Sequence, residues 1–240
     1  MLLAIDTSAG TSVAVVDRDR GVLAEHGVPD TMRHAEVVGP LIQRCLTEAD
    51  VTVPELSGVV GGMGPGPFTG LRVGIAAARV FALGADRPLV PVISHDAIAF
   101  GHYRRGHTGP LLVVTDARRR EVYWSAFGGV DAVGLPERLA APGLAQPAAL
   151  LGPDFAYPGL ARLDAAVVSA GDLGMLAELL FARHRPFAAD DALYLRSPDA
   201  VLPTTRKRVS NPTAPIDRTP SIRTASSNRT ASSNRTAPST

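Results

Sequence analysis

The sequence predicts an α/β protein in which a mixed sheet is covered by helices. Apolar residues run or alternate at strand spacing in the first 26 residues, and they recur at helical spacing over 34–49. Strand-like and helix-like segments then alternate up to residue 103. Three strands followed by alternating helices and strands are typical of a mixed sheet. The 240 residues, 45% of them hydrophobic, suffice for one large domain or two small ones.

The first half of the chain has the clearest element patterns. Residues 2–6 and 11–17 indicate a β-hairpin, with a third strand over 21–26. A helix is predicted next, from about His34 to Ala49. Pro40 lies inside it, so either its first turn is irregular or the helix begins near Gly39. The remaining elements predicted before residue 104 are a strand at 58–62, a helix at 69–84, a strand at 89–93 and a helix at 94–103 capped by Ser94.

A polar, Gly-rich stretch at 104–109 predicts a boundary between two lobes. We predict a first lobe at 1–104, joined by residues 190–203, and a second, smaller lobe at 105–189. The elements predicted in the second part are strands at 111–115, 121–127 and 165–169, a helix at 172–183 capped by Asp172, and a returning strand at 193–195.

The C-terminal residues 204–240 differ from the rest in charge and complexity. They hold seven Lys or Arg against one acid, and they contain a repeat of Arg-Thr-Ala-Ser-Ser-Asn that has no large apolar residue. Such a segment cannot bury enough surface to offset chain entropy, so we predict a disordered tail that either attracts RNA or is a solvated appendage. The remainder is mildly acidic, which argues against a nucleic-acid surface built into the fold.

Several catalytic classes are excluded by residue content. Lys207 is the only lysine, which rules out a Schiff-base or phosphate-binding lysine in the body of the chain. Cys45 is the only cysteine, so no internal disulfide can form, and we expect a small buried apolar side chain there. No Gly-x-Ser-x-Gly, His-Glu-x-x-His or Cys-x-x-Cys motif occurs. These exclusions remove the commonest nucleophile and thiolate-metal signatures, and they agree with the prediction of no catalytic residues, no metal and no cofactor, which rests on the family resemblance given below.

The N-terminus lacks the basic start of a signal peptide, and Asp6 interrupts its apolar run. No stretch reaches the length of an uninterrupted membrane span. These features predict a cytoplasmic protein with no membrane partner.

A Gly/Pro-rich loop at 61–70 lies between a predicted strand and a predicted helix. This arrangement often binds ligands through free backbone N–H groups, but the loop lacks the Gly-Lys-Ser/Thr ending of a phosphate-binding P-loop. In the helix that follows, Gly70, Gly74 and Ala77 or Ala78 share one side. Small residues at this spacing allow close approach, either of a partner or of the protein's own sheet.

Three further groups have two interpretations each. The turn Asp6-Thr7-Ser8 resembles the first phosphate loop of actin, sugar kinases and heat-shock ATPases, but ordinary turns use the same residue types. His34 and His95 lack a second histidine four positions on, which favours capping or surface histidines over metal ligands. The run 118–120, three arginines, is either a solvated hairpin tip or an RNA contact.

Four segments occur in the order found in the TsaB (YeaZ) family. They are Ile5-Asp-Thr-Ser8, Gly64-Pro-Gly-Pro-Phe-Thr-Gly-Leu-Arg-Val-Gly74, Asp116-Ala-Arg-Arg with Glu121-Val-Tyr123, and Tyr194-Leu-Arg196. The sequence resembles this family over roughly residues 1–208. The resemblance implies an actin-like ATPase fold, with two ribonuclease-H-like lobes of mixed sheets flanked by helices. It also implies a non-catalytic subunit in the biosynthesis of threonylcarbamoyladenosine, next to the anticodon of tRNA.

The resemblance also implies a catalytic partner, the paralogue TsaD, with a His-x-x-x-His metal site. In the matching segment Pro91–Ala99, this chain offers Ser94 or His95, followed four positions on by Ile98 or Ala99. Neither alignment restores the metal site, so the resemblance implies a subunit that is inert on its own.

The remaining implications concern partners. In the family, two helices of the first lobe form the homodimer and TsaD interfaces, TsaE (an ATPase) joins the complex, and tRNA is engaged indirectly. Asp6, Thr7 and Ser8 would be nucleotide-proximal, and the alternative function is an actin-like-fold ATPase or small-molecule kinase that uses Asp6 and Thr7. The interface residues implied by matching position are His34, Val37, Val38, Leu41, Ile42, Phe68, Thr69, Arg72, Ile75 and Arg79.

Overall fold

The computed structural model describes residues 1–30 and 32–196. The predicted N-terminal hairpin is confirmed, and its strands pair antiparallel from Leu2–Val16 to Asp6–Ser12. The first sheet consists of β1 (Leu2–Asp6), β2 (Thr11–Asp17), β3 (Gly21–Val28), β4 (Gly58–Gly62) and β5 (Leu89–Val92). Its order is β3-β2-β1-β4-β5. Strands β1, β2 and β3 pair antiparallel with one another, whereas β4 and β5 run parallel to β1.

Helices cover both faces of this sheet. Leu3 and Ile5 of β1 pack into one apolar cluster, and Leu2 and Ala4 pack into another, because successive side chains of a strand point to opposite faces. This explains why β1 is a continuous apolar run. The helices are α1 (His34–Ala49), α2 (Phe68–Gly84), α3 (Ser94–Arg104) and α4 (Ala170–Ala182). The first two lie on one face, and α4 lies on the other, packed against α3.

The second sheet lies beyond α3. Its order is β10-β6-β7-β8, with β9 paired to β7, and β10 is parallel to β6. One face shares the apolar cluster of α3 and α4, while the other is covered by Trp124, Phe155 and Tyr157. The strands are β6 (Leu111–Asp116), β7 (Val122–Val130), β8 (Pro136–Arg138), β9 (Gly143–Ala145) and β10 (Ala161–Asp164).

The predicted class, α/β with two mixed sheets flanked by helices, is confirmed. The lobe boundaries at 104/105 and 189/190 stay predictions, since both sheets belong to one compact unit. The predicted tail 204–240 and the end of the joining segment 190–203 lie outside the described residues. No helix in the described part is long and apolar enough to cross a membrane.

Helix α1 begins at His34, as predicted, so the alternative start near Gly39 is wrong. It contains the exposed Pro40, and buried side chains continue the helical pattern on both sides of that residue. The predicted start of α3 is confirmed, but its predicted cap is wrong. Ser94 is the first residue of α3 rather than its cap, and Ile93 occupies the capping position. The Ser94 side chain is instead turned toward β1, where a buried acceptor binds it.

Three predictions in the second half were wrong. The strand is Ala161–Asp164 and not 165–169, because β6 pairs with the former, while Val168 is buried without a strand partner. The cap of α4 is Ser169, whose hydroxyl accepts the N–H of Asp172 at 3.0 Å, a Ser-x-x-Asp signal that the sequence contains. Residues 193–195 are not a strand, although the N–H of Leu193 donates to the carbonyl of Met63.

Candidate functional site

The Asp6–Ser8 turn follows β1 and is fully buried. Both oxygens of the Asp6 carboxylate are bonded within the chain. Oδ1 accepts the N–H of Ser8 at 2.8 Å and its hydroxyl at 2.6 Å, and Oδ2 accepts the hydroxyl of Ser94 at 2.5 Å. Burial raises the pKa of Asp6, while the bonds from Ser8 and Ser94 oppose this shift. The carboxylate therefore serves to hold the turn against the start of α3.

Glycines of the Gly/Pro-rich loop close over this turn from the other side. A Cβ on Gly62 would lie 1.9 Å from Asp6 Oδ2, and one on Gly66 would lie 2.8 Å from the Cα of Ser8. Only a residue without a side chain permits this approach. The Gly/Pro-rich loop is thus packed against the Asp6 turn, and the space around the Asp6 carboxylate is filled by the protein itself.

The small-residue side of α2 faces the same turn. The hydroxyl of Thr7 donates to the carbonyl of Gly70 at 2.7 Å, and a Cβ on Gly74 would lie 2.1 Å from Thr7 Oγ1. Of the two interpretations left open by the sequence, close approach to the protein's own sheet is the correct one for this side. A partner can reach α2 only from its opposite side.

His34 and His95 are both buried, so the expectation of capping or surface histidines was wrong. His34 Nδ1 is hydrogen-bonded to Thr11 Oγ1 at 2.8 Å, and burial lowers the pKa of His34, with Asp6 opposing the shift. For His34 a signal for burial was present, because it lies four residues before Val38 and seven before Leu41, on the buried face of α1.

His95 links α3 to the second sheet. Its Nδ1 is bonded to Ser125 Oγ at 2.8 Å, and its Nε2 is bonded to Thr115 Oγ1 at 2.9 Å. A neutral imidazole has one donor and one acceptor nitrogen, which matches two hydroxyl partners. Complete burial lowers the pKa of His95 to about 3, so the ring is neutral near pH 7.

These residues do not fit a metal site of the His-x-x-x-His type. Both nitrogens of His95 are engaged by hydroxyls, and Ala99 occupies the position four residues on. Within residues 1–30 and 32–196, no group of three or more His, Cys, Asp or Glu side chains is placed to hold a metal ion. Cys45 is buried as predicted, and its pKa is raised to about 11 by burial.

An open cleft of about 440 Å³ adjoins the closed turn. Ser8 and Pro67 line it from the first-sheet side, and Asp116 and Arg118 line it from the second-sheet side. Of the three nucleotide-proximal residues predicted, only Ser8 borders this cleft, whereas Asp6 and Thr7 face inward.

Burial divides the ten predicted interface residues into two groups. Thr69, Arg72 and Arg79 are exposed, and Val37 and Phe68 are half-buried. The wide apolar arc of α1 belongs to the protein's own core. The remaining five, all buried in this chain, are His34, Val38, Leu41, Ile42 and Ile75. The interface itself stays a prediction, and the exposed residues of α2 are the ones that a partner can touch directly.

Comparison with known proteins identifies the family. The family model described as "TsaD: tRNA N6-adenosine threonylcarbamoyltransferase" matches residues 23–179, which is more than half of the chain. The tRNA threonylcarbamoyladenosine biosynthesis protein TsaB of Escherichia coli (strain K12) is 32% identical over 126 residues, covering 52% of this chain and 54% of that protein. The chain belongs to the TsaB (YeaZ) family.

One further curated relative and one solved structure are similar to this chain. An uncharacterized protein of Mycobacterium tuberculosis (strain ATCC 25618 / H37Rv) is 44% identical over 137 residues, covering 55% of this chain and 62% of that protein. The solved structure of YeaZ from Pseudomonas aeruginosa covers 76% of this chain and 92% of its own, with 26% identity and a TM-score of 0.64. The matches thus span about half to three fifths of the curated relatives. The actin-like, ribonuclease-H-like fold that the resemblance implied is confirmed.

Proposed function

We propose that this chain is a non-catalytic scaffold subunit in the biosynthesis of tRNA threonylcarbamoyladenosine. In this proposal it binds a TsaD protein through α2 and the adjoining end of α1, and it holds that partner in an active form. The ATPase TsaE joins the same cytoplasmic complex, and the chain forms a homodimer when TsaD is absent. Support comes from family membership and from curated relatives named for this biosynthesis.

The observation that carries the proposal is the outward face of α2. Val80 and Leu83 are 69% and 84% exposed, and the exposed Ala76 precedes them on the same face at helical spacing. Large apolar side chains aligned on one exposed helix face are typical of a protein-binding surface. Arg79, one of the predicted interface residues, lies beside them and is paired with Asp190 at 2.8 Å.

A non-catalytic role is supported by the state of the polar groups. Asp6 is bonded to Ser8 and Ser94, and His95 is bonded to Thr115 and Ser125. Groups that are buried with their hydrogen bonds satisfied stabilise the fold, but they are not placed to touch a substrate.

The structure also decides which residues should be changed in a binding test. A charge at Val38 or Ile75 would be buried and would unfold the chain, so loss of binding there would be uninformative. Leu83→Glu and Val80→Glu change exposed positions, for which stability should stay within about 0.5 kcal/mol. Leu151→Glu is the matched control, since Leu151 is 81% exposed on another part of the surface.

The test is calorimetric titration of the full chain with TsaD from the same organism. We expect the double variant Val80→Glu, Leu83→Glu to weaken binding at least about tenfold, while Leu151→Glu binds like the wild type. Modification of a tRNA transcript, with each component omitted in turn, then tests the scaffold role. Wild-type affinity of the double variant would exclude this surface, and modification without the chain would exclude the function.

The open cleft favours the alternative, an actin-like-fold ATPase or small-molecule kinase, because a volume of about 440 Å³ lies within the usual size of ligand sites. ATP turnover by the purified chain that is lost in Asp6→Asn would support this alternative. We expect no turnover, since Asp6 faces away from the cleft.

A further inference from the structure

After α4 the chain returns to the first sheet through residues 185–196, a segment without helix or strand that we call the strap. The N–H of Ala188 donates to the carbonyl of Pro91 at 3.1 Å, and the N–H of Leu193 donates to the carbonyl of Met63 at 2.8 Å. These two backbone bonds anchor the strap at β5 and just beyond the end of β4. Residues 189–192 form a short loop between the two anchors.

Asp190 lies in this loop and holds Arg79 of α2. Nη2 of Arg79 donates to the carbonyl oxygen of Asp190 at 2.7 Å and to its Oδ1 at 2.8 Å. The side chains of Arg79 and Asp190 are 47% and 55% exposed. An ion pair this exposed contributes little to stability, so the loop can release Arg79 while both anchors and the fold stay intact.

The bonds from Asp190 engage the nitrogen of Arg79 that a second carboxylate needs. A guanidinium holds a carboxylate with two parallel N–H bonds either through Nε and Nη2 or through Nη1 and Nη2. Nη2 belongs to both arrangements, and its two hydrogens are engaged by Asp190. A carboxylate of another chain can therefore form a two-bond pair with Arg79 only after Asp190 moves away.

Arg79 lies on a face of α2 that a partner would cover. Arg72, Ala76, Arg79 and Leu83 are exposed and follow one another at helical spacing, so they form one stripe along the helix. A protein that covers Ala76 and Leu83 also removes water from Arg79. A guanidinium that loses water needs a paired acceptor, and the planar fork of arginine matches a carboxylate.

The charges near this stripe favour an acidic residue of the partner. Arg72 and Arg79 are the only charged residues of α2. On the neighbouring α1, Glu36 and Glu48 are each paired with a basic residue other than these. Within the described part of the chain, Asp190 supplies the only carboxylate that is paired with Arg79. Once Asp190 is displaced, an acid of the partner has no internal rival for Arg79.

We propose that Arg79 binds a carboxylate of the TsaD partner and that Asp190 is an internal competitor for the same guanidinium. The identity of the partner rests on the proposed function, whereas the competition rests on the contacts of Arg79. In the free chain Asp190 holds Arg79. In the complex an Asp or Glu of the partner takes over Nη2, and the 189–192 loop swings away between its two anchors.

The test is calorimetric titration of the full chain with TsaD from the same organism. Asp190→Ala removes the competing carboxylate and leaves only the carbonyl bond, so binding should strengthen about three- to fivefold. Arg79→Ala removes the binding group itself and should weaken binding about fivefold or more. In the Arg79→Ala background, Asp190→Ala should have no further effect, because both changes act on one contact.

Two control variants separate this contact from the general effect of charge. Asp191→Ala removes the next carboxylate of the strap, which is exposed and is not paired with Arg79, and it should change affinity less than about twofold. Arg79→Lys keeps the charge but loses the planar fork, so it should bind more weakly than the wild type. Thermal unfolding of Asp190→Ala should occur at or slightly below the wild-type temperature, which separates tighter binding from a more stable fold.

Unchanged affinity of Asp190→Ala would overturn the proposal, and weaker binding would overturn it by showing that Asp190 contacts the partner itself. Equal gains in Asp190→Ala and Asp191→Ala would overturn it in favour of general charge repulsion. If the wild type binds TsaD and only the effect of Asp190→Ala is missing, this inference fails and the proposed function stands. If the wild-type chain does not bind TsaD, the proposed function fails and the inference fails with it.

Discussion

Consecutive residues at the start of α3 join it to two different buried polar clusters. Ser94 donates to Asp6 on the first sheet, and His95 bonds Thr115 and Ser125 on the second. In the first cluster burial raises the pKa of a carboxyl group, and in the second it lowers the pKa of an imidazole. Each environment disfavours the charged form. Titratable side chains therefore connect α3 to the two sheets, and the two clusters should respond oppositely to acid.

The largest effect is expected at His95. His95→Ala removes a fully buried ring and leaves the hydroxyls of Thr115 and Ser125 without their partner. We expect the free energy of unfolding to fall by about 3 to 5 kcal/mol, measured by chemical denaturation. His107→Ala, at an exposed histidine, should change it by less than about 0.5 kcal/mol. A loss below about 1 kcal/mol at His95 would contradict a connecting role.

The cluster around Asp6 can be tested by changing Gly62, the glycine that packs against the Asp6 carboxylate. Gly62→Ala should cost about 2 to 3 kcal/mol, because the new Cβ would overlap the Asp6 carboxylate. Gly84→Ala, where nothing lies within 4 Å of the new Cβ, should be neutral or slightly stabilising. In an Asp6→Ala background the penalty at Gly62 should shrink, which a double-mutant cycle measures. Equal penalties in both backgrounds would show that the overlap lies elsewhere.

The two clusters should change the stability of the fold in opposite directions when the pH is lowered. The pKa of His95 is about 3 in the folded chain and near 6.5 when unfolded, so the unfolded state binds its proton first. The neutral ring of His95 therefore contributes fully to the free energy of unfolding above about pH 6.5. This contribution is lost as the pH falls, at up to roughly 1.4 kcal/mol per pH unit. His95→Asn should flatten this dependence between about pH 6 and 4 in pH-dependent denaturation. An unaltered slope would show that His95 is not the titrating group.

Asp6 should give a smaller effect of the opposite sign. Its pKa is raised in the folded state, so the folded chain takes up this proton before the unfolded chain does, as the pH falls toward 3.8. Acidification through this window therefore favours folding, and Asp6→Asn removes that benefit. We expect the stability of Asp6→Asn to fall more steeply with acid than that of the wild type over the same window. A shallower fall would reverse the sign assigned to Asp6.

The elements with strong local patterns were predictable from sequence. The hairpin around Asp6, helix α1 and strand β4 lie where periodicity and turn residues place them, because binary pattern and backbone preferences act within a few residues. The family could also be recognised, because the Gly-Pro-Gly-x-Phe-Thr-Gly-Leu-Arg segment has a fixed local role. Its glycines must let the Asp6 turn approach, and no other residue type leaves that space.

Only the tertiary structure decided how the polar residues are used. Ser94 could cap a helix or reach another strand, and His95 could face water or a second sheet; the outcome depends on neighbours 20 or more positions away. The same holds for α1, whose wide apolar arc proved to be core, and for α2, whose outward face carries Val80 and Leu83. The burial of a side chain depends on which elements pack against its helix. A single sequence shows which faces of a helix are apolar, but it does not show which neighbour each face contacts.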